Sequence, residues 1–285
     1  MIKRTHLRQF LAVVDTGNFT RAAERVGVAQ PSLSAGIAEL ERLAGARLFV
    51  RERRRIRLTD AGNRLLAHAR AIEREFRQAE ASLSASAPVA PPMRVGVLAS
   101  LATDLIARIA AAWSGERALV LVEGTDADLR KRLSEGQVDA VVTLLRTEDR
   151  ERPALELFDE GYVLMLHEGH ALAGAELLTA ADVAGETMIA RRSCEILGDT
   201  SRWFTRRGVR PPFFLRSAND DRCMEMVRMG MGVTTAPESL ARPGVRAIPL
   251  SGYDFRRSVG VLLPRGFAGE PADHPLAQAS RQALG

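Results

Sequence analysis

Cysteine is scarce in this chain, with two residues, Cys194 and Cys223, among 285. A disulfide framework is therefore excluded, and the fold must be held by its core. Long apolar runs are also missing. None approaches the ~18–20 residues that span a bilayer, and the apolar run 10–14 is too short for a secretory signal core. Lysine is almost absent, only Lys3 and Lys131, so the positive charge is carried by arginine. Catalytic signatures are lacking too. There is no Ser/His/Asp order in a usable context, no Gly-rich phosphate loop and no metal cluster. His167 and His170, three apart before Leu172, are weak evidence for a metal. No catalytic residue, metal or cofactor is expected, and the chain should be soluble in a reducing cytoplasm.

What is present is ordinary globular material, 46% apolar and 26% charged, long enough for two or three compact units. The formal net charge of +5 is unevenly spread: residues 1–87 carry +7 and the rest −2. A basic head on a near-neutral body points to a polyanion partner for the head, although arginine richness alone gives the same excess.

Leu7, Phe10, Leu11 and Val14 recur at helical spacing and Gly17 stops them. Asn18 is suited to cap a second helix carrying Ala22, Ala23 and Val26, ended by Gly27. A third helix starts near Pro31, with Leu33, Ile37, Leu40 and Leu43 as its buried stripe. Two short helices joined by a turn containing glycine form a helix-turn-helix. The runs 48–50 and 56–58 then flank the charged residues 51–55, which reads as a hairpin, or wing.

These sixty residues resemble the DNA-binding domain of the LysR-type transcriptional regulators. The matching residues are Leu7-Arg8-Gln9-Phe10, Asn18-Phe19-Thr20-Arg21-Ala22-Ala23 and Val28-Ala29-Gln30-Pro31-Ser32-Leu33-Ser34. Ile37, Leu40-Glu41, Arg47-Leu48-Phe49 and Leu58-Thr59-Asp60-Ala61-Gly62 complete the pattern. The resemblance implies a DNA interface of Thr20, Gln30, Pro31, Ser32 and Ser34, with Arg51, Arg53, Arg54 and Arg55 of the wing. The chemistry agrees. Gln30, Ser32 and Ser34 lie off the buried stripe, Gln can bond an adenine edge twice, and a helix N-terminus favours phosphate. The wing arginines suit the backbone or a narrow minor groove, or form a solvated charge run. Ala35 and Gly36 are silent where many relatives are polar, and Ala29 stands where a capping Ser is common. Base readout is therefore expected to be thin, leaning on DNA shape and the wing.

From Thr59 onward Leu65, Ala69, Ile72, Phe76, Ala79 and Leu83 are spaced 4, 3, 4, 3, 4, a heptad seam. A helix over 60–86 either pairs with another copy or packs on its own domain; the resemblance favours dimerisation. The Pro- and Ser-rich stretch 84–92 reads as a hinge. Beyond it strand and helix alternate, which argues for parallel α/β architecture. Residues 136–140, 167–172 and 229–237 resemble the family's effector domain, itself similar to periplasmic solute-binding folds. Connections near 161–166 and 255–264 are expected to cross between two lobes.

The fold class is thus an all-α winged helix-turn-helix with a long linker helix, followed by a two-lobed, periplasmic-binding-protein-like α/β effector domain. The expected divisions are 1–59 for the head, 60–86 for the linker helix, 87–92 for the hinge and 93–285 for the effector domain. Lobe I would take about 93–161 and 265–285, and lobe II about 162–264. Loops at the carboxyl ends of strands line the cleft of such folds. They nominate Ser100, Leu101, Thr103, Gly124, Thr125 and Thr143 from lobe I, and Arg191, Ser193, Cys194 and Thr235 from lobe II. The hydroxyls either meet a ligand or cap helices. Arg191 with Arg192 either clamps an anion, implying a carboxylate effector, or forms a surface pair. Cys194 reads as a buried thiol or pocket wall; some redox-sensing relatives use a cysteine pair in this lobe. The expected partners are promoter DNA, a small-molecule effector, further copies of the chain and RNA polymerase, with no membrane. The competing reading is a ligand-independent regulator, orphan or redox-responsive.

Overall fold

Glycines close the first three helices. α1 (Arg4–Thr16) ends at Gly17, α2 (Phe19–Val26) at Gly27 and α3 (Gln30–Ala44) at Gly45, all left-handed (φ 62°, 71° and 65°). The computed structural model describes residues 1–52, 55–82 and 90–285. Its two compact units are Met1–Pro92 with Lys131–Gln137, and Met93–Arg130 with Val138–Gly285.

Asn18 caps α2 by accepting from the backbone N–H of Thr20 and Arg21 (2.8 and 3.2 Å), whereas Ala29 offers α3 no side-chain cap. The core of the head joins Leu7, Phe10 and Val13 to Leu33, Ile37 and Leu40, with Leu48 and Phe49 closing one side. On α1 the buried stripe falls on Ala12 and Val13; Leu11 and Val14 pack at its margin, one position out of phase with the sequence expectation. β1 (Phe49–Glu52) and β2 (Arg55–Leu58) pair antiparallel from Phe49↔Leu58 to Glu52↔Arg55. Arg53 and Arg54 lie outside the described residues, as do Leu83, the rest of the expected helix to 86 and hinge positions 87–89.

α4 (Asp60–Ser82) corrects the expected seam. Ala69 is fully buried and Leu65 partly buried in the core of the head, because the first turns of α4 pack on it. Ile72 and Phe76 remain 39% and 44% exposed. Arg4 of α1 lies over the Phe76 ring (4.5 Å to its centroid) and pairs with Glu73 (3.0 Å) and Glu80. The exposed part of the expected seam therefore begins at Ile72.

In the second unit β3 (Met93–Leu98) lies between parallel neighbours β4 (Leu119–Gly124) and β5 (Ala140–Leu145). β3 is buried at every position but Arg94, as a strand covered on both faces requires. α5 (Thr103–Ala111), α6 (Asp126–Ser134) and the C-terminal α9 (Pro275–Leu284) accompany these strands, and Trp113 lies just beyond the end of α5. The long strand β6 (Ala154–His167) and β11 (Arg256–Leu262) run antiparallel side by side. β11 also pairs with β5, while the second half of β6 pairs with β9 (Thr234–Pro237) and β10 (Val245–Ile248). β7 (Met188–Arg191) and β8 (Phe213–Ser217) form a parallel pair, served by α7 (Leu197–Arg206) and α8 (Asp220–Arg228).

The crossings between lobes thus lie at 160–161 and 255–257. Residues 258–262 hydrogen-bond into the first lobe's sheet, so lobe I resumes near 256 and not at 265 as the sequence suggested. The apolar run of β11 finds its partners on β5, which decides the matter. Trp203, Phe204 and Tyr253 centre the core of lobe II in edge-to-face contacts.

Candidate functional site

The recognition surface of the head is built on the N-terminus of α3. Thr20, Gln30, Pro31 and Ser32 are exposed and Ser34 is half-buried, while Leu33 and Ile37 anchor the helix beneath them. The Gln30 amide donates to the Ser34 hydroxyl (2.9 Å), which fixes its direction one turn along the helix. Gly36 does not face outward: a Cβ there would collide with the side-chain oxygen of Gln9 at 1.9 Å. In the wing Arg51 pairs with Ile56, and Arg55 pairs with Glu52 at the strand ends that flank the two undescribed tip residues.

A residue that periodicity could not single out ties the wing down. Glu41 of α3, 9% exposed, accepts from the backbone N–H of Leu48 and Phe49 (2.8 and 3.3 Å) and pairs with Arg47 (3.2 Å). Thr59 donates its hydroxyl to the Arg47 carbonyl (2.6 Å) and accepts from Gly62 N–H (3.0 Å). Gly62 has no room for a side chain, since a Cβ would sit 2.3 Å from the Leu48 carbonyl oxygen. The start of α4 is thus held against the base of the wing.

In the effector domain the nominated residues fall into separate groups. Arg191, Cys194 and Thr235 line one cavity of about 290 Å³ inside lobe II. Thr143 is fully buried and donates to Asp126 (2.8 Å); that carboxylate also meets Arg130 (2.8 Å) and Arg146. Gly124 and Thr125 open α6 beside it, the Thr125 hydroxyl capping Asp128 N–H (3.3 Å). Ser100, with Leu101 buried next to it, belongs to the crossing between lobes. Thr103, at the start of α5, already holds a carboxylate of the same chain, Asp221 of α8, which Arg242 also meets (2.9 Å).

Arg191 and Arg192 do not form a clamp. Arg191 is 2% exposed and paired with Asp220, which Ser193 also meets (2.6 Å), whereas Arg192 is exposed. Neighbouring residues of an extended chain point to opposite sides. Burial works against the Arg191 charge, yet the Asp220 bond outweighs it and keeps the guanidinium firmly protonated.

The floor of the crossing is organised by Arg257, which the sequence reading missed. Its guanidinium donates to Glu160 (2.8 Å), Glu195 (2.7 Å), the Ser100 hydroxyl (3.1 Å) and the Ser100 carbonyl (3.3 Å). It therefore touches the first lobe, the second lobe and the strand that joins them. Burial pushes the Glu195 carboxyl up, but Arg257 reverses this and holds it below the usual range. Charged residues at the edge of an apolar strand (Arg257 before 258–262) were the available signal.

An exposed recognition helix, a wing and a two-lobed α/β domain together define a ligand-responsive DNA-binding regulator. The model of the bacterial regulatory helix-turn-helix of the LysR family matches residues 5–63, and that of the LysR substrate-binding domain matches 86–285. The chain belongs to the LysR-type transcriptional regulators. It is 30% identical over 238 residues to the Hca operon transcriptional activator HcaR of Escherichia coli K12, covering 81% of this chain and 80% of the relative. It is 27% identical to the dual regulator OxyR of the same strain, covering 96% and 93%. Among solved structures, ArgP of Mycobacterium tuberculosis shares the fold with a TM-score of 0.75 at 22% identity, covering 99% of this chain and 97% of that one. LysG of Corynebacterium glutamicum, solved with its effector arginine, gives 0.72 at 17%, covering 99% and 98%.

Proposed function

We propose that this regulator reads promoter DNA through Gln30, Ser32 and Ser34 in the major groove, with Thr20 and Pro31 beside them and Arg51, Arg53, Arg54 and Arg55 on the backbone. The head is 1–59, the linker helix 60–86, the hinge 87–92 and the effector domain 93–285. Two copies join through α4 from Ile72 onward, and a small molecule between the lobes alters the spacing of their heads and the access of RNA polymerase. The protein works in the cytoplasm and catalyses no reaction; among the described residues no helix is long and apolar enough to cross a membrane. The supporting observation is the exposed, internally hydrogen-bonded Gln30–Ser34 pair above an apolar anchor. Arg191 is buried and Arg192 exposed, so the two do not grip one anion, and their pairing gives no reason to expect a carboxylate effector.

Selection of duplexes from a random library by the full-length chain tests this reading. The expected product is a pair of related half-sites about one helical turn apart. Because base readout is thin, Gln30→Ala should leave most of the site preference intact, while Arg54→Ala should abolish binding. Enrichment of no sequence, or loss of preference in Gln30→Ala with binding retained in Arg54→Ala, would overturn the proposed readout.

The redox alternative draws on relatives named as hydrogen peroxide-inducible activators. Here burial pushes the Cys194 thiol up and the Cys223 thiol up to about 11. The thiolate is the reactive form, so both residues are poor peroxide targets near neutral pH. In native protein at pH 7 both thiols should react with an aromatic disulfide roughly 100-fold more slowly than after denaturation. Prompt native reaction of one thiol, with a change in DNA affinity after peroxide, would move the assignment to the redox reading.

A further inference from the structure

The lobe II cavity stands apart from the crossing between lobes. It lies between α7 and the β7–β8 pair, with Ile189, Phe204 and Val209 among its apolar walls. Leu197, Ser201 and Phe213 are exposed and mark its mouth. A dry cavity of about 150 Å³ accommodates benzene, so about 290 Å³ suits one ring with a substituent.

Its polar equipment is specific. Thr200 is already bonded to the Tyr253 hydroxyl, and Thr234 donates to the Ile189 carbonyl (2.7 Å). Arg191 is different. Two of its nitrogens are engaged, one with Asp220 and one with the Thr235 carbonyl (3.4 Å), while its buried Nε has no partner. A buried donor without an acceptor costs about 1–3 kcal/mol, and a ligand oxygen that displaced the cover over this nitrogen would remove that penalty. Arg210 stands exposed at the mouth, and no acidic side chain lines the cavity. With Arg191 neutralised by Asp220, Arg210 at the mouth supplies the charge that favours an anion or a neutral acceptor over a cation.

We infer that lobe II carries a ligand site of its own, in the cavity walled by α7, for a molecule of single-ring size bearing one carboxylate or equivalent acceptor directed at Arg191. The inference rests on the effector-domain reading but adds a site to it, separate from the crossing at Ser100 and Arg257.

Isothermal titration of the full-length protein with benzoate, benzyl alcohol and benzylamine tests it. Benzoate should bind saturably with a Kd of about 0.1–1 mM, the alcohol more weakly and the amine not measurably. Ser201→Trp, at an exposed position of α7, fills the mouth and should weaken benzoate at least about 10-fold. Arg210→Ala, which leaves the packing untouched, should weaken benzoate by about 3-fold or more with little effect on the alcohol. The inference is overturned if benzoate fails to saturate, if benzylamine binds as well, or if both variants bind like the parent. DNA binding measured on the same samples separates the two readings: loss of sequence preference with benzoate binding intact indicts the regulator reading and leaves the site standing.

Discussion

Replacing Arg257 by alanine should lower the unfolding free energy of the effector domain by about 3–5 kcal/mol, the usual result of breaking a buried ion cluster from one side. The variant leaves Glu160 and Glu195 facing each other across the lobe crossing with no cation between them. It also removes both donors to Ser100. The pH dependence provides an independent check. In the parent, Glu195 titrates below the usual range because of Arg257, so its stabilisation is present above a carboxylate's ordinary pKa of about 4.3 and is lost as pH falls through the lowered value. Without Arg257 the buried Glu195 carboxyl keeps only the upward push of burial and should titrate above that ordinary value. Its penalty is then full at neutral pH and relieved by protonation as pH falls. Denaturant unfolding at pH 7.5 and pH 5 should therefore show the gap between parent and variant narrowing toward acid. A gap that stays constant would mean the two carboxylates are solvated in the variant, contrary to their burial here.

A second large effect is expected from Ile72→Glu. The side chain is 39% exposed, so the head should fold unchanged. In a dimer joined through α4, each copy would bury a carboxylate beside its counterpart. Sedimentation should then show monomer at concentrations where the parent is dimeric. Affinity for a two-half-site duplex should fall by about 100-fold or more, since the second head no longer binds intramolecularly. Unchanged sedimentation and DNA affinity would place the interface elsewhere. Two other apolar surfaces are then the first to test: Val120 and Leu121 on β4, and Phe213 and Phe214 on β8, all at least 36% exposed.

The helices of the head were legible because their information is local. Leu33, Ile37 and Leu40 repeat at helical spacing, and glycine follows each of the three helices. The strand–helix alternation beyond residue 93 was legible for the same reason. What was missed depends on distance along the chain. Arg257 meets Glu160 from 97 residues away and Glu195 from 62, and no spacing rule links them. The Arg191 clamp failed similarly, because its true partner, Asp220, lies 29 residues downstream. The seam of α4 shows a different limit. A heptad pattern records which residues are apolar, but not whether Leu65 and Ala69 cover the chain's own head or a second copy.

The two crossings between lobes are not independent tethers. Arg256 and Arg257 of β11 lie opposite Gly161 and Glu160 of β6, so both connections form one hydrogen-bonded antiparallel ribbon. A ribbon of this kind bends readily across its flat face, while shearing or splaying its strands would break backbone hydrogen bonds. Lobe motion is thereby limited to bending and twisting of one ribbon whose two strands stay in register.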